Sequence, residues 1–144
     1  MLQSEAYNTK VEPYVKEWYD YLAQGKLMGL KCKDCGEIAF PPFPVCNGCS
    51  GTDMEWIELS GEGTLITFSQ STSGILPFAT SSVIVAWVEM AEGPVFMSWL
   101  VDVDQSLEAQ EELNHRLPLP VTTEIREMDA EAGIFYPVFH LKEE

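Results

Sequence analysis

Residues 30–56 read LKCKDCGEIAFPPFPVCNGCSGTDMEW, and they hold all four cysteines of this 144-residue chain. Cys32-x-x-Cys35 and Cys46-x-x-Cys49 are two C-x-x-C units separated by ten residues. Each unit can fold as a tight knuckle with both thiolates on one side. Two facing knuckles then supply a tetrahedron with bonds of about 2.3 Å, the geometry zinc accepts. Glycine suits positions where the chain leaves a knuckle with positive φ; Gly36 follows the first pair, and Gly48 and Gly51 surround the second. A redox C-x-x-C needs only one pair, in a βαβ context that this sequence lacks. Iron in the same four-thiolate cage is chemically possible, so the spacing alone leaves zinc and iron both open. Four thiolates complete the coordination sphere, so the metal has no position for water or substrate. The expected Zn2+ is therefore structural, giving shape to a segment too short for a core of its own.

Between the knuckles lies Ile38-Ala39-Phe40-Pro41-Pro42-Phe43-Pro44. Proline cannot donate to a sheet and holds the chain extended. An apolar extended segment on so small a ribbon is expected to face a partner or a ligand. Upstream, Val11, Tyr14 or Val15, Trp18 and Leu22 recur at helical spacing, predicting a helix over 11–24 with Gly25 as its C-cap. Its aromatic stripe either packs on its own domain or, through Tyr14, Trp18, Tyr21 and Leu22, forms an interface, where Tyr and Trp are enriched. Downstream the pattern turns to strands: a short one near Trp56-Ile57-Glu58, then 64–69, 83–90, 95–101, 121–126 and 135–139. Val83–Met90 is apolar on both faces, as expected of a fully buried strand. About five strands of this length suit a small barrel. Residues 69–82 read as a loop with an apolar tip at Ile75-Leu76-Pro77-Phe78, and 104–114 as a short, exposed acidic helix. The expected domains are a helical segment over 1–29, a four-cysteine zinc ribbon over 30–55 and a barrel over 56–144.

The longest unbroken apolar run, Val83 to Val88, is far too short to span a bilayer. The N-terminus has neither the basic start nor the apolar region of a signal peptide, so a reducing, cytoplasmic setting is expected. The net charge of −15 is unevenly spread, with +1 over residues 1–33 and −16 over 34–144. Such a surface repels polyanions, which argues against a single-stranded nucleic-acid binder. An anionic ligand should approach the corner of Lys26, Lys31 and Lys33. No acid–base or nucleophile–base pair stands out. His115 and His140 read as ordinary histidines, Glu62 as a turn residue, and Glu108, Glu111 and Glu112 as a solvated face.

In combination, GKLMGLKCKDCGEIAFPP (25–42), CNGCSG (46–51), WIELSGEGTLITFS (56–69) and EGPVFMSWLVD (92–102) carry a resemblance over nearly the whole chain. They resemble the zinc-ribbon/OB-fold acyl-CoA-associated family catalogued as domain of unknown function thirty-five. The resemblance implies a mainly β chain: an N-terminal α-helix, a rubredoxin-like zinc ribbon, then a five-stranded OB-fold barrel. It implies Cys32, Cys35, Cys46 and Cys49 as metal ligands. It also implies an accessory subunit without an active site of its own, serving a thiolase/acyltransferase-type enzyme that acts on CoA thioesters. The expected partner is a thiolase-family subunit making or breaking a carbon–carbon bond, with a hot-dog-fold enoyl-CoA hydratase as the alternative. A stand-alone acyl-CoA-binding protein is a further alternative. CoA or acyl-CoA is the expected ligand at a shared site, met by Lys26, Lys31 and Lys33 at its phosphates and by Phe40, Phe43, Ile75 and Phe78 at its apolar parts. Tyr14, Trp18, Tyr21, Leu22, Phe40, Pro41, Pro42 and Phe43 are the expected partner surface. The chain departs from the family pattern at Leu117-Pro118-Leu119-Pro120-Val121, which follows an acidic stretch resembling an insertion.

Overall fold

A computed structural model describes residues 13–71, 83–131 and 133–142. Val11, Ile75 and Phe78 lie outside the described residues. The chain divides into two compact units, one of residues 1–60 with 125–136, the other of 61–124 with 137–144. The boundaries expected from sequence lie at 29/30 and 55/56.

The first unit opens with α1 (Pro13–Ala23). Its end follows from Gly25, which takes φ +78°. The Gly25 amide donates to the Leu22 carbonyl at 2.9 Å and the Lys26 amide to the Tyr21 carbonyl at 2.9 Å, closing the last turn. Next come β1 (Met28–Cys32), β2 (Ile38–Ala39) and β3 (Met54–Glu58), antiparallel in the order β2-β1-β3. The sequence pattern gave no sign of β1, because Gly29 and Lys31 dilute its apolar content. Gly29 is needed there: a Cβ at this position would stand 3.2 Å from the Ala39 carbonyl oxygen. Trp56-Ile57-Glu58, expected to lead into the barrel, is instead the outer strand of the ribbon sheet, in register with Met28–Leu30.

Trp18 and Leu22 are 2% and 0% exposed. Of the two readings of the α1 stripe, packing on its own unit is the one that Trp18 and Leu22 follow, and their place in a partner surface is corrected, since both are buried within this chain. The Trp18 indole donates to the Met28 carbonyl at 2.9 Å. Its ring meets Tyr19, Phe40 and Tyr136 edge-on at 5.1, 5.7 and 5.9 Å, the arrangement aromatic quadrupoles prefer. Tyr14 and Tyr21 both lean edge-on against Trp56, whose indole donates to Glu17 at 2.7 Å. Burial pushes the Tyr136 phenol up to about 12, with the neighbouring Tyr19 adding to the effect, so both rings stay neutral inside the cluster.

β4 (Glu62–Ser71), β5 (Val83–Met90), β6 (Val95–Leu100), β7 (Leu119–Asp129) and β8 (Ile134–Leu141) form a closed barrel in the order β4-β5-β6-β8-β7; the end of β7 and the start of β8, within 125–136, are grouped with the first unit. β6 and β8 run parallel, in register at Leu100 and Phe139. This is the strand order and closure of an OB-fold, which leaves no open sheet edge. Leu65, Val88, Val121, Val138 and Phe139 are fully buried and fill the interior. The buried Ser98 hydroxyl donates to the Pro137 carbonyl at 2.6 Å, satisfying a polar pair between β6 and β8. The short helix α2 (Leu107–Arg116) interrupts the strands; Ser106 caps it by accepting from the Ala109 amide at 3.3 Å. Only Leu113 of this acidic helix is buried, as its composition predicts.

Two strands pass close together at Gly63, where a Cβ would sit 2.6 Å from Val88 Cγ1 and 3.0 Å from the Glu89 carbonyl oxygen. Gly63→Ala is therefore expected to overpack the β4–β5 contact and cost about 1–3 kcal/mol, measured as a lower urea midpoint at unchanged slope. An unchanged midpoint would show that the strands separate without penalty.

Candidate metal centre

The two knuckles have the same backbone design. In the first, the Cys32 amide donates to the Glu37 carbonyl at 2.8 Å and the Gly36 amide donates back to the Cys32 carbonyl at 2.9 Å. In the second, the Cys46 amide donates to the Gly51 carbonyl at 2.8 Å and the Ser50 amide to the Cys46 carbonyl at 3.0 Å. Gly36 takes φ +83°, as its sequence position predicts. The matching place in the second knuckle is filled by Ser50 at φ +62°, not by a glycine. Gly51 is needed for space instead, because a Cβ there would stand 3.2 Å from the Cys49 sulfur and 2.8 Å from Asp34 Oδ2.

These turns bring the four sulfurs within 4.8 Å of one another. Cys32 and Cys49 Sγ are 3.6 Å apart, and Cys35 and Cys46 Sγ 3.4 Å. A regular tetrahedron with zinc–sulfur bonds of about 2.3 Å has edges of about 3.8 Å, so the cage has the right size for that ion. The same separations are far beyond a disulfide bond of about 2.05 Å, and all four cysteines are free. Cys32 and Cys46 are buried, Cys35 and Cys49 exposed. The four ligands close the coordination sphere, so the ion this site holds is structural and offers no catalytic position.

The protonation of the thiols sets how the metal is taken up. Backbone donors, the Cys49 amide first, draw the Cys46 thiol down to about 7. Cys35 feels a downward pull from the Glu37 amide, yet sharing its proton with Cys46 and its other neighbours pushes it up to about 12. At neutral pH, zinc loading must therefore displace protons, Cys35 among the groups that lose one. Zinc addition to the unbuffered, metal-free protein is expected to release protons, read with an indicator dye. Zinc affinity in a chelator competition should fall as the pH falls, because protons then compete better for the same sulfurs. A pH-independent affinity would contradict thiolate ligation.

The remaining expected contact residues separate into buried and exposed sets. Phe40 is 4% exposed and Pro42 is buried, so neither is available to a partner or to CoA. The chain turns inward at Phe40 rather than running extended, with a cis peptide to Pro41. Phe43 and Val45 stay 54% and 39% exposed, and Pro41 is exposed too. Val45 was missed by the sequence reading, although it stands two residues from Phe43 across a proline. Tyr14 and Tyr21 are half-buried. Lys26 is exposed just beyond α1. Lys31 pairs across the sheet with Glu55, and Lys33 lies 3.7 Å from Asp53. The basic corner thus has acidic neighbours and a weaker field than the sequence alone implies.

The histidines are both in the second unit. His115 is exposed on α2. His140 places Nδ1 3.5 Å from Asp102 and Nε2 3.4 Å from Glu124, on the wall of a cleft of about 730 Å3 that Arg116 and Lys142 also line. Among the described residues, the four cysteines are the one group of side chains placed to hold a metal. No helix among them is long and apolar enough to cross a membrane.

Comparison with known proteins places this architecture. Residues 20–55 match the rubredoxin-like zinc ribbon domain of ChsH2, and residues 56–112 match the C-terminal OB-fold domain of ChsH2. A DUF35 domain-containing scaffold protein of Pyrococcus furiosus is 31% identical over 123 residues, covering 83% of this chain and 85% of that protein. The benzoylsuccinyl-CoA thiolase subunit BbsA of Thauera aromatica is 40% identical over 48 residues, a third of each chain. Among solved structures, an Ltp2–ChsH2(DUF35) aldolase chain superposes with a TM-score of 0.73 at 22% identity, covering 93% of this chain and 98% of that one. With a closed four-cysteine ribbon followed by an OB barrel, and with identity to a scaffold protein over most of its length, this chain belongs to the DUF35 family of ChsH2-type zinc-ribbon/OB-fold proteins.

Proposed function

We propose that this chain is a non-catalytic scaffold subunit that docks on a thiolase-type enzyme and helps to form or shield its CoA-thioester site. The observation that carries this reading is the exposed apolar tip of the ribbon. Phe43 and Val45 are 54% and 39% exposed on a segment fixed at both ends by thiolate knuckles. An ion closed off by four thiolates can do no chemistry, so the fixed shape itself is the useful product. A rigid apolar tip loses little freedom on binding, which favours a docking role. Relatives named as scaffold proteins, and one named as a subunit of a CoA-thioester thiolase, support the partner class. The partner supplies the catalytic groups; Lys26, Lys31 and Lys33 are the candidate contacts to the CoA phosphates, through charge-assisted hydrogen bonds.

The test is a mild affinity purification of the zinc-loaded chain from its native extract, with mass spectrometry of stoichiometric co-eluting proteins. Recovery of a thiolase-family enzyme that loses the chain on Phe43→Ser is the expected result. A hydratase in its place would change the reaction class while keeping the scaffold role. No partner, together with micromolar CoA binding by the isolated chain in calorimetry, would replace this reading with a free acyl-CoA carrier.

A further inference from the structure

The strand β5 was expected to be apolar and buried on both faces. In the barrel it alternates instead, and its outward row stays partly exposed. Ile84, Ala86, Val88 and Met90 point inward and are buried, whereas Trp87 is 46% exposed. Across the strand pair, Trp87 stands in register with Met97, which is 52% exposed, and Glu89 with Val95, which is 55% exposed. On the next row, the half-buried Val85 pairs with the half-buried Trp99. On its other side Trp87 faces Thr67 of β4. The result is one outward sheet face on which these two strands present five apolar side chains, two of them tryptophan, and the charge of Glu89.

The surroundings say what kind of surface fits. The second unit carries eleven acidic side chains and only two basic ones, Arg116 and Lys142. A second copy of the chain would bring its own net charge of −15 to the same place, and like charges around an interface oppose association. Five partly exposed side chains also offer only on the order of a few hundred Å2, below the roughly 800 Å2 per partner of a stable stand-alone interface. The face suits one part of a larger contact with a protein of opposite charge. Trp and Met are enriched at interfaces, and Trp among the residues that dominate binding energy.

We propose that the outer face of β4–β5–β6, centred on Trp87 and Met97, is a second contact surface for the enzyme this scaffold serves, which meets it with an apolar patch rimmed by Lys and Arg. This rests on the scaffold reading above and adds to it a surface in the barrel unit. The cationic rim steers the acidic barrel to its place, and the tryptophan anchors it there.

The experiment uses the full zinc-loaded chain and the thiolase-family enzyme recovered with it, with binding followed by biolayer interferometry. Trp87→Ser with Met97→Ser is expected to weaken binding by at least about 30-fold. Both side chains point outward, so zinc content and melting temperature should be those of wild type. Leu107→Ser, which alters an exposed leucine on α2 outside these three strands (72% exposed), should leave the affinity unchanged. Raising the ionic strength from about 0.05 to 0.5 M should slow association several-fold, because the steering is screened. Wild-type affinity in the double variant overturns this surface while leaving the scaffold reading intact. So does a homodimer of the wild-type chain, seen by light scattering, that the double variant breaks apart. Failure to recover any CoA-thioester enzyme with wild-type chain overturns both.

Discussion

Cys46→Ser is expected to leave a chain that holds no stoichiometric zinc and has an unfolded ribbon. Cys46 is 3% exposed, its sulfur accepts from the Gly48 amide at 3.3 Å, and it lies 3.4 Å from Cys35 Sγ. Serine supplies a poor, protonated oxygen in place of a thiolate, so the cage loses one of its four bonds. Apparent binding energies of structural zinc in small ribbons are about 10–16 kcal/mol, and they are folding energy because the unfolded segment has no preformed site. Little regular structure holds residues 32–51 otherwise. The segment between the knuckles contributes only the two-residue strand β2 to the sheet. Zinc analysis should show substoichiometric metal, and trypsin should cut quickly at Lys31 and Lys33. The barrel has its own core around Leu65, Val121 and Phe139 and should still melt cooperatively. Full zinc occupancy in Cys46→Ser would show that three thiolates suffice, and a ribbon that stays folded without zinc would show that it is held by something other than its metal. The scaffold reading adds one consequence: partner binding through Phe43 and Val45 should be lost together with the metal. Cys35→Ser, at an exposed ligand, should behave in the same way.

Trp18→Ala is expected to destabilise the first unit by about 3–5 kcal/mol, the range for removing a large buried aromatic. That magnitude is comparable with the whole stability of a small domain. The indole is 2% exposed and is the common neighbour of Tyr19, Phe40 and Tyr136. Its removal opens a cavity beneath α1 and leaves the Met28 carbonyl without its donor. Trp18→Phe separates the two effects. The ring stack is largely kept, and the loss should shrink to about 1–3 kcal/mol for the unpaired carbonyl and the smaller ring. Chemical denaturation followed by Trp fluorescence reads both variants. If Trp18→Ala kept wild-type stability and lost only partner binding, Trp18 would be an interface anchor after all. Its burial within this chain argues for the stability effect.

The metal centre was legible in the sequence because its information is local. Two C-x-x-C units place four sulfurs in two turns, and turn geometry depends on only a few neighbouring residues. The same holds for α1, its Gly25 terminus and the acidic α2. The strand succession after residue 61 was legible from period-two patterns and turn residues. The exposed and buried sides of the ribbon were not. Phe40 and Phe43 are both phenylalanine beside proline, yet one lies under Trp18 and the other faces out; only the path of the chain after residue 40 distinguishes them. Lys31 and Lys33 looked like a basic corner because Glu55 and Asp53, twenty or more residues later, could not be placed opposite them without the β1–β3 register.

The sequence by itself determined the two building blocks of this protein: a closed four-cysteine ribbon and a small acidic β-barrel. Those properties come from residue type and short spacing. The tertiary structure decided which apolar side chains are core and which are surface. Burial depends on what a distant segment lays over a residue: Phe40 and Tyr136 meet the ring of Trp18, which is 2% exposed, whereas Trp87 and Met97 stay 46% and 52% exposed.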